Sequence, residues 1–185
     1  SNILTFETSQ AVDISCCRMT DTVAIIAYQG DGDDGFAIGI TYDGVDTLTA
    51  SSKFEWETTD VSATSCVHIY PHATLGKIGV AYLDASSNAH VIILDWDGTD
   101  VSGVTGKFLV AAGTFTNTQL ILLRGTETEA DMVFPVATNS LNTIYEVTLR
   151  GGTTLASTTN TGNLANGSGT SVPMVALDTS YFVAF

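Results

Sequence analysis

Basic residues are scarce in this sequence. Six Lys and Arg stand against 20 Asp and Glu among 185 residues, which gives a formal net charge of −14 at pH 7. A surface this acidic repels phosphate backbones and anionic lipid headgroups, so nucleic acid and membrane surfaces are poor partners. Long apolar runs are missing too, and the sequence therefore predicts no membrane-spanning helix. The acidity favours solubility, cation binding or an extracellular setting.

Cysteine is nearly absent, with only three residues of this type. Cys16 and Cys17 are neighbours, which rarely bridge each other, and an odd count leaves one thiol over. Cys16 and Cys66 each follow a Ser at matching places in the chain, so the sequence leaves a disulfide between them open. Small buried side chains on inner strands explain both residues more simply. No spacing of Cys and His suggests a zinc site.

Apolar residues, in contrast, are plentiful. Hydrophobic residues make up 44% of the chain and charged residues 14%, which is typical of a folded β protein and not of a disordered chain. A unit of about 54 residues recurs, and two separate blocks keep this spacing. One block begins at Val23, Lys77 and Asp131, and the other at Phe36, His90 and Ile144. A period of this size indicates an all-β repeat array.

Each unit predicts four strands, a to d, which are rich in Val, Ile, Thr and aromatic residues and bounded by turn residues. The predicted strands are residues 14–19, 22–28, 36–42 and 48–57 in the first unit, 65–70, 77–83, 89–96 and 104–110 in the second, and 118–123, 131–137, 143–149 and 153–158 in the third. Apolar and polar residues alternate along strand d of the first unit. We therefore expect Glu55 and Glu57 to face solvent.

The inner strands are apolar on both faces and strand d alternates, which is the pattern of a propeller blade. We therefore predict an all-β β-propeller with four-stranded antiparallel blades. The blades span residues 14–57, 63–110 and 117–158, with strand d of a preceding blade at 3–8 and a partial blade at 170–185. The chain is then a piece of a longer propeller, half of a ring that two copies close, or a small ring closed on itself. A β-trefoil is the alternative fold.

One acidic loop is a candidate metal site. Asp31, Asp33 and Asp34 lie on the Gly-rich connection between strands b and c of the first unit. Their carboxylate oxygens are ligands that Ca²⁺ prefers, so calcium is a candidate at this loop, and apart from it the sequence predicts no cofactor. An ordinary hairpin turn with solvated carboxylates is the alternative, because the loop lacks the Glu that ends a calcium loop.

Three aromatic residues are candidates for stacking against a sugar ring. Tyr42, Trp96 and Tyr145 fall on strand c near its end. Packing between blades is the alternative explanation for side chains of this kind. The sequence contains no nucleophile elbow, zinc-protease or phosphate-loop motif, and it predicts no catalytic residues.

The recurring residues carry a family resemblance. Ile-Ser or Thr-Ser on strand a is followed by Val-Ala-Tyr on strand b, then by an Asp-Gly turn before Phe-Glu. This order resembles repeats of phage tail and fibre proteins and of large secreted bacterial adhesins, over nearly the whole chain. The resemblance implies an extracellular or virion-borne β-propeller used in attachment. The third unit departs from it, with Phe134, Pro135 and Val136 where Val-Ala-Tyr is expected.

The expected function is non-enzymatic binding of a glycan or another surface receptor, within a larger parent chain or a self-associated assembly. One alternative is a structural scaffold that takes no small ligand. The other is a fragment of a propeller hydrolase such as a glycosidase, which would need two carboxylates facing each other across a pocket.

Overall fold

The computed structural model describes residues 3–62, 68–72, 76–112, 118–120, 132–138, 143–150, 154–163, 174–176 and 182–184, with side chains within the first 112 residues. Its regular structure is β-strand, apart from one 3₁₀ turn at Asp31–Asp33. In chain order the strands are β1 (Val12–Arg18), β2 (Val23–Gln29), β3 (Gly35–Tyr42), β4 (Leu48–Ala50), β5 (Phe54–Glu57), β6 (His68–His72), β7 (Lys77–Leu83), β8 (Ala89–Trp96), β9 (Val101–Ala111), β10 (Thr118–Leu120), β11 (Met132–Thr138), β12 (Thr143–Arg150), β13 (Thr154–Asn163), β14 (Met174–Ala176) and β15 (Phe182–Ala184). The predicted all-β class is confirmed.

The described strands form separate antiparallel sheets, one for each repeat. The first has the order β1-β2-β3, with β4 and β5 both paired to β3, and the second has the order β6-β7-β8-β9. The third has the order β10-β11-β12-β13, and β14 pairs with β15. Within each sheet, strands that follow one another in the chain pair side by side, except that β4 and β5 both pair with β3. The bounds of β7 and β8 match the predicted strands. Of the predicted strands, residues 65–67, 121–123, 131 and 153 lie outside the described residues.

Strand d of the first unit differs from the prediction, because it is interrupted between β4 and β5. At Ser51 the side-chain hydroxyl accepts a hydrogen bond from the backbone N–H of Gly39 at 2.8 Å, in the place of a ladder carbonyl. The backbone N–H of Ser51 still donates to the Gly39 carbonyl at 2.8 Å. A side chain that takes over a backbone partner in this way competes with the regular ladder.

The structure assigns no strand to residues 3–8, the segment predicted as strand d of a preceding blade. This segment lies against the first sheet through its side chains instead of through a backbone ladder. The ring of Phe6 packs edge-on against Tyr28, with 5.5 Å between ring centroids.

A β-bulge on β5 reverses the expected direction of Glu57. Gly35 lies opposite Glu57 and Phe36 opposite Glu55, so Trp56 is the extra residue of the bulged strand. Trp56 and Glu57 are both buried, at 5% and 6% exposure, whereas Glu55 is exposed. The expectation that Glu57 faces solvent is therefore wrong, since strict alternation along the strand ends at the bulge.

A core cluster of the described residues lies between the first and second sheets, and a smaller one of Tyr28, Phe36 and Ile38 lies on the other face of the first sheet. The apolar side chains that meet between the two sheets are Ile25, Ala27, Ala37 and Trp56 from the first sheet and Ile78, Val80, Tyr82, Ile92 and Leu94 from the second. Each fully buried aliphatic side chain of this size contributes about 1.5–3 kcal/mol to folding. Strand β1 lies beside β6 and β5 beside β9, and in turn β6 lies beside β10 and β9 beside β13. Successive sheets therefore stack with their first strands adjacent and their last strands adjacent.

Within the described ranges, no helix has the length and the apolar character that crossing a bilayer would require.

Candidate functional site

A buried ionic cluster joins the first sheet to the second. Glu57 at the end of β5 accepts hydrogen bonds at Oε2 from the Tyr82 hydroxyl and from Lys107 Nζ, which lie on β7 and β9. At Oε1 the same carboxylate accepts from the hydroxyl of Thr59 at 2.8 Å and from its backbone N–H at 3.2 Å. We call Glu57, Tyr82 and Lys107 the inner triad. Every oxygen of the buried carboxylate has a partner, as a desolvated charge requires.

The inner triad fixes the protonation states of its members. Burial alone would raise the pKa of Glu57, but hydrogen bonds from Lys107, Tyr82 and Thr59 outweigh it and lower the pKa to about 2. Burial raises the pKa of Tyr82 well above its usual range, and the hydrogen bond to the Glu57 carboxylate raises it further. Near neutral pH the carboxylate is therefore charged and the phenol keeps its proton, so the phenol donates.

Aromatic and imidazole rings enclose the Tyr82 side chain. The Trp56 ring packs edge-on at 4.9 Å between centroids, and the His90 ring stacks at 5.3 Å. His90 Nε2 lies 2.9 Å from Asp84 Oδ2. Asp84 also accepts from the backbone and side-chain N–H groups of Asn88, at 2.9 and 3.0 Å. Tyr82 is thereby held in one orientation, with its hydroxyl at the Glu57 carboxylate.

The same arrangement recurs on the opposite face of the first sheet. Glu7 accepts at Oε2 from the Tyr28 hydroxyl at 2.9 Å and from Lys53 Nζ at 3.0 Å. At Oε1 it accepts from the backbone N–H and the hydroxyl of Ser9 at 3.1 and 3.0 Å, as Glu57 does from Thr59. Hydrogen bonds from Ser9, Lys53, Thr8 and Tyr28 together hold the pKa of Glu7 below its usual range. We call Glu7, Tyr28 and Lys53 the outer triad.

The two triads are copies of one motif. Tyr28 and Lys53 stand 54 residues before Tyr82 and Lys107, and Glu7 stands 50 residues before Glu57. In each triad the carboxylate comes from the segment before the sheet that supplies the Tyr and the Lys. The sequence does not continue the motif, since Ala111, Val136 and Thr161 stand 54 residues after the members of the inner triad. The Glu, the Tyr and the Lys of the triad are all replaced at these positions, so neither charged residue is kept without the other.

The loop between β2 and β3 that carries the three candidate calcium ligands is a hydrogen-bonded turn. Gly30 N–H donates to the Asp34 carbonyl at 2.9 Å, and Asp33 N–H donates to the Gly30 carbonyl at 3.2 Å. The Asp33 carboxylate accepts a hydrogen bond from Gln29 Nε2 at 3.0 Å. The connection between β7 and β8 repeats both backbone bonds, from Asp84 to Asn88 and from Ser87 to Asp84, at 3.0 and 2.8 Å.

In the part of the chain that the structure describes, no three His, Cys, Asp or Glu side chains are grouped so as to hold a metal ion. The structure thus does not bring Asp31, Asp33 and Asp34 together as a ligand set. The calcium site at these residues stays a prediction.

Tyr42 and Trp96, two of the three predicted sugar-stacking residues, lie in different surroundings. Tyr42 is 39% exposed, and its hydroxyl donates to the Val45 carbonyl at 2.7 Å. Trp96, its counterpart in the second unit, packs instead against the first sheet, where a Cβ on Gly39 would lie 2.7 Å from the Trp96 ring. Tyr145 lies on β12 opposite Val136, and its side chain is outside the described residues.

No protein-family model matches the chain, and no curated protein matches it. The resemblance to phage fibre and adhesin repeats therefore stays a prediction.

Sequence reasoning missed both triads, although the signal for them is present. Tyr and Lys each recur at the repeat spacing, and a Glu recurs close to it. Apolar periodicity defines strands and faces, but it assigns charged residues to solvent. Only the bulge at Trp56 turns Glu57 inward, and no local sequence rule marks that bulge.

Proposed function

We propose that this chain is a non-enzymatic structural module of propeller-type blades, which acts in attachment outside the cell or on a virion. The observation that carries the proposal is the recurrence of the triad on both faces of the first sheet. In each triad the carboxylate, the phenol and the ammonium group are occupied with each other and bridge one segment to the next. Groups that are fully satisfied in this way stabilise a structure, and they offer no free acid, base or nucleophile.

The sheet arrangement supports the propeller part of the proposal. Each described repeat folds into its own meander, and the first strands of three successive sheets lie side by side. A propeller repeats such sheets radially, with short inner edges. A trefoil instead pairs strands of different repeats in a barrel, whereas the described ladders join strands of one repeat.

The experiment that tests the structural role compares two neighbouring glutamates. Glu57→Gln removes the charge of the inner triad, and Glu55→Gln removes the charge of an exposed residue on the same strand. We expect Glu57→Gln to lower the free energy of unfolding by about 1–3 kcal/mol, and Glu55→Gln to change it by less than about 0.5 kcal/mol. Equal effects in urea titrations would contradict the structural role of the triad.

Tyr42 favours a second candidate function, attachment to a glycan. The ring is exposed, and the hydrogen bond from its hydroxyl to the Val45 carbonyl holds it at the base of the β3–β4 hairpin. A held aromatic ring loses little conformational entropy when a sugar stacks on it. In a glycan-array screen, binding that Tyr42→Ala abolishes and Leu109→Ala retains would support this function. Binding that both variants retain would exclude Tyr42 as its site.

A further inference from the structure

Gln29 and Trp56 each hold a polar atom on the core side of the first sheet. Gln29 is fully buried, and Trp56 is 5% exposed. Among the described residues, neither Gln29 Oε1 nor Trp56 Nε1 has a hydrogen-bond partner. Buried polar atoms in folded proteins are rarely left unpaired, so these two atoms require a further group to bond to.

The orientation of the Gln29 amide is fixed by its nitrogen. Gln29 Nε2 donates hydrogen bonds to the Val61 carbonyl at 2.7 Å and to the Asp33 carboxylate at 3.0 Å. Turning the amide over would set its oxygen against these two acceptors, so the oxygen is the unpaired atom. The indole N–H of Trp56 can only donate. The two unpaired atoms are therefore one acceptor and one donor.

Gly35 is the residue at which the indole ring and the amide approach each other. It lies opposite Gln29 in the ladder of β2 and β3, and side chains at opposite positions share a face, with their Cβ atoms about 5 Å apart. A Cβ on Gly35 would lie 2.7 Å from Cε2 of Trp56, the ring atom that is bonded to Nε1. The indole ring thus covers the position next to Gln29 that a side chain on residue 35 would occupy.

The second sheet carries apolar residues at the three equivalent positions. These residues, 54 positions later in the chain, are Leu83, Ala89 and Val110. All three are buried. The acceptor, the donor and the glycine beneath the indole ring are thus exchanged together between the two repeats, which indicates that they work as one unit.

We propose that the first sheet binds one internal water molecule, which accepts a hydrogen bond from Trp56 Nε1 and donates one to Gln29 Oε1. Both atoms are shielded from solvent, so the group that pairs them is small. A metal cation would face the positive end of the indole N–H, and an anion would face the amide oxygen. Water both accepts and donates, and internal waters in proteins typically pair buried polar atoms of this kind.

The water joins β2 to β5, two strands that no ladder connects. It thereby fixes the Trp56 ring, which packs edge-on against Tyr82 of the inner triad. The site lies beyond the proposed function, because the hydrogen bonds of the triads do not pass through it. Failure of the tests below would therefore leave the Glu57→Gln comparison to decide the structural role.

A high-resolution crystal structure of the unmodified chain tests the proposal directly. We expect one fully occupied water within about 3.2 Å of both Gln29 Oε1 and Trp56 Nε1. A cation coordinated at about 2.3–2.6 Å from Gln29 Oε1 would overturn the proposal. A direct hydrogen bond between the two side chains, or a site without a bound molecule, would overturn it as well.

Nuclear magnetic resonance tests the same site in solution. We expect a cross-relaxation peak between the indole N–H of Trp56 and water, with the sign given by direct contact and not by proton exchange. The chain has two tryptophans, so Trp96→Phe assigns the signal. Gln29→Leu, which copies Leu83, should lose the peak, and Glu55→Gln, an exposed change on β5, should keep it. A parent chain without the peak, or a peak that Gln29→Leu retains, would contradict the proposal, and the crystal structure decides if that variant does not fold.

Discussion

The Tyr82 hydroxyl, at the end of β7, donates a hydrogen bond to the carboxylate of Glu57, at the end of β5 in the preceding sheet. Tyr28 donates in the same way to Glu7, at 2.9 Å. A hydrogen bond to a charged group is about twice as strong as a neutral one. Each bond also joins two segments that no backbone ladder connects. The triads are therefore points at which one repeat fixes the position of the next.

Removing the Tyr82 hydroxyl should destabilise the fold without opening a cavity. Tyr82→Phe keeps the ring between Trp56 and His90 but leaves the buried Glu57 with one donor fewer. We expect a loss of about 1.5–3 kcal/mol in the free energy of unfolding, measured by urea titration. Tyr42→Phe is the control, since its hydroxyl bonds to an exposed turn, and we expect less than about 0.5 kcal/mol. A loss no larger for Tyr82→Phe than for Tyr42→Phe would contradict the role of the hydroxyl.

Stability should fall in acid as the triads lose their carboxylate charge. The pKa of Glu57 is about 2 in the folded chain against an ordinary value of 4.5, so its contribution is complete above pH 4.5 and is lost as the pH falls to about 2. We expect a loss of about 1–3 kcal/mol from this group, since the 39% exposure of the Lys107 side chain screens part of the interaction.

The measurement is the urea midpoint between pH 6 and pH 2.5. Other carboxylates titrate in the same window, so the difference between the parent chain and Glu57→Gln isolates this group. The variant should show the shallower pH dependence, and parallel curves would contradict the assignment.

A methyl group on Gly39 should loosen the packing of the two sheets. The added Cβ would lie 2.7 Å from ring atoms of Trp96, closer than packed atoms approach. We expect Gly39→Ala to cost about 1–3 kcal/mol and to change the tryptophan fluorescence. Gly103→Ala is the matched control, because its Cβ would meet only Asp95 Oδ2, at 3.4 Å. In a Trp96→Ala background the cost of Gly39→Ala should shrink, and an unchanged cost would show that Trp96 is not the obstacle.

Relief of backbone strain should stabilise the loop between β7 and β8. Ser87 has a φ of 61°, which disfavours a residue with a Cβ. Ser87→Gly should raise the unfolding free energy by up to about 1 kcal/mol, as measured by thermal unfolding. Ser86→Gly, one residue earlier and outside that conformation, should be neutral or destabilising because it only adds chain entropy. A destabilising Ser87→Gly would contradict the strain.

The sequence predicts the sheets better than it predicts what joins them. Strands β7 and β8 follow from apolar runs between turns, and their bounds agree with the structure. The N-terminal segment is not a strand in the structure, although its similarity to strand d predicts one. The similarity of this segment to strand d of the first unit nevertheless aligns Glu7 with Glu57, and the two residues accept equivalent hydrogen bonds.

The candidate site was harder to predict for a related reason. Tyr42 and Trp96 are equivalent in sequence, yet one is exposed and the other packs against Gly39. The difference depends on whether a sheet covers that face, which is a tertiary property that strand patterns do not encode. The inner triad likewise depends on contacts across 25 and 50 residues of chain.

The most direct test of the account is a double-mutant cycle on Glu57 and Lys107. Glu57→Gln, Lys107→Met and the double variant are unfolded in urea near neutral pH. If the inner triad joins the two sheets, the pair should show a coupling free energy of about 1–3 kcal/mol in favour of folding. A coupling within about 0.3 kcal/mol of zero would mean that the two residues act independently, and it would contradict the claim that the triad holds one repeat to the next.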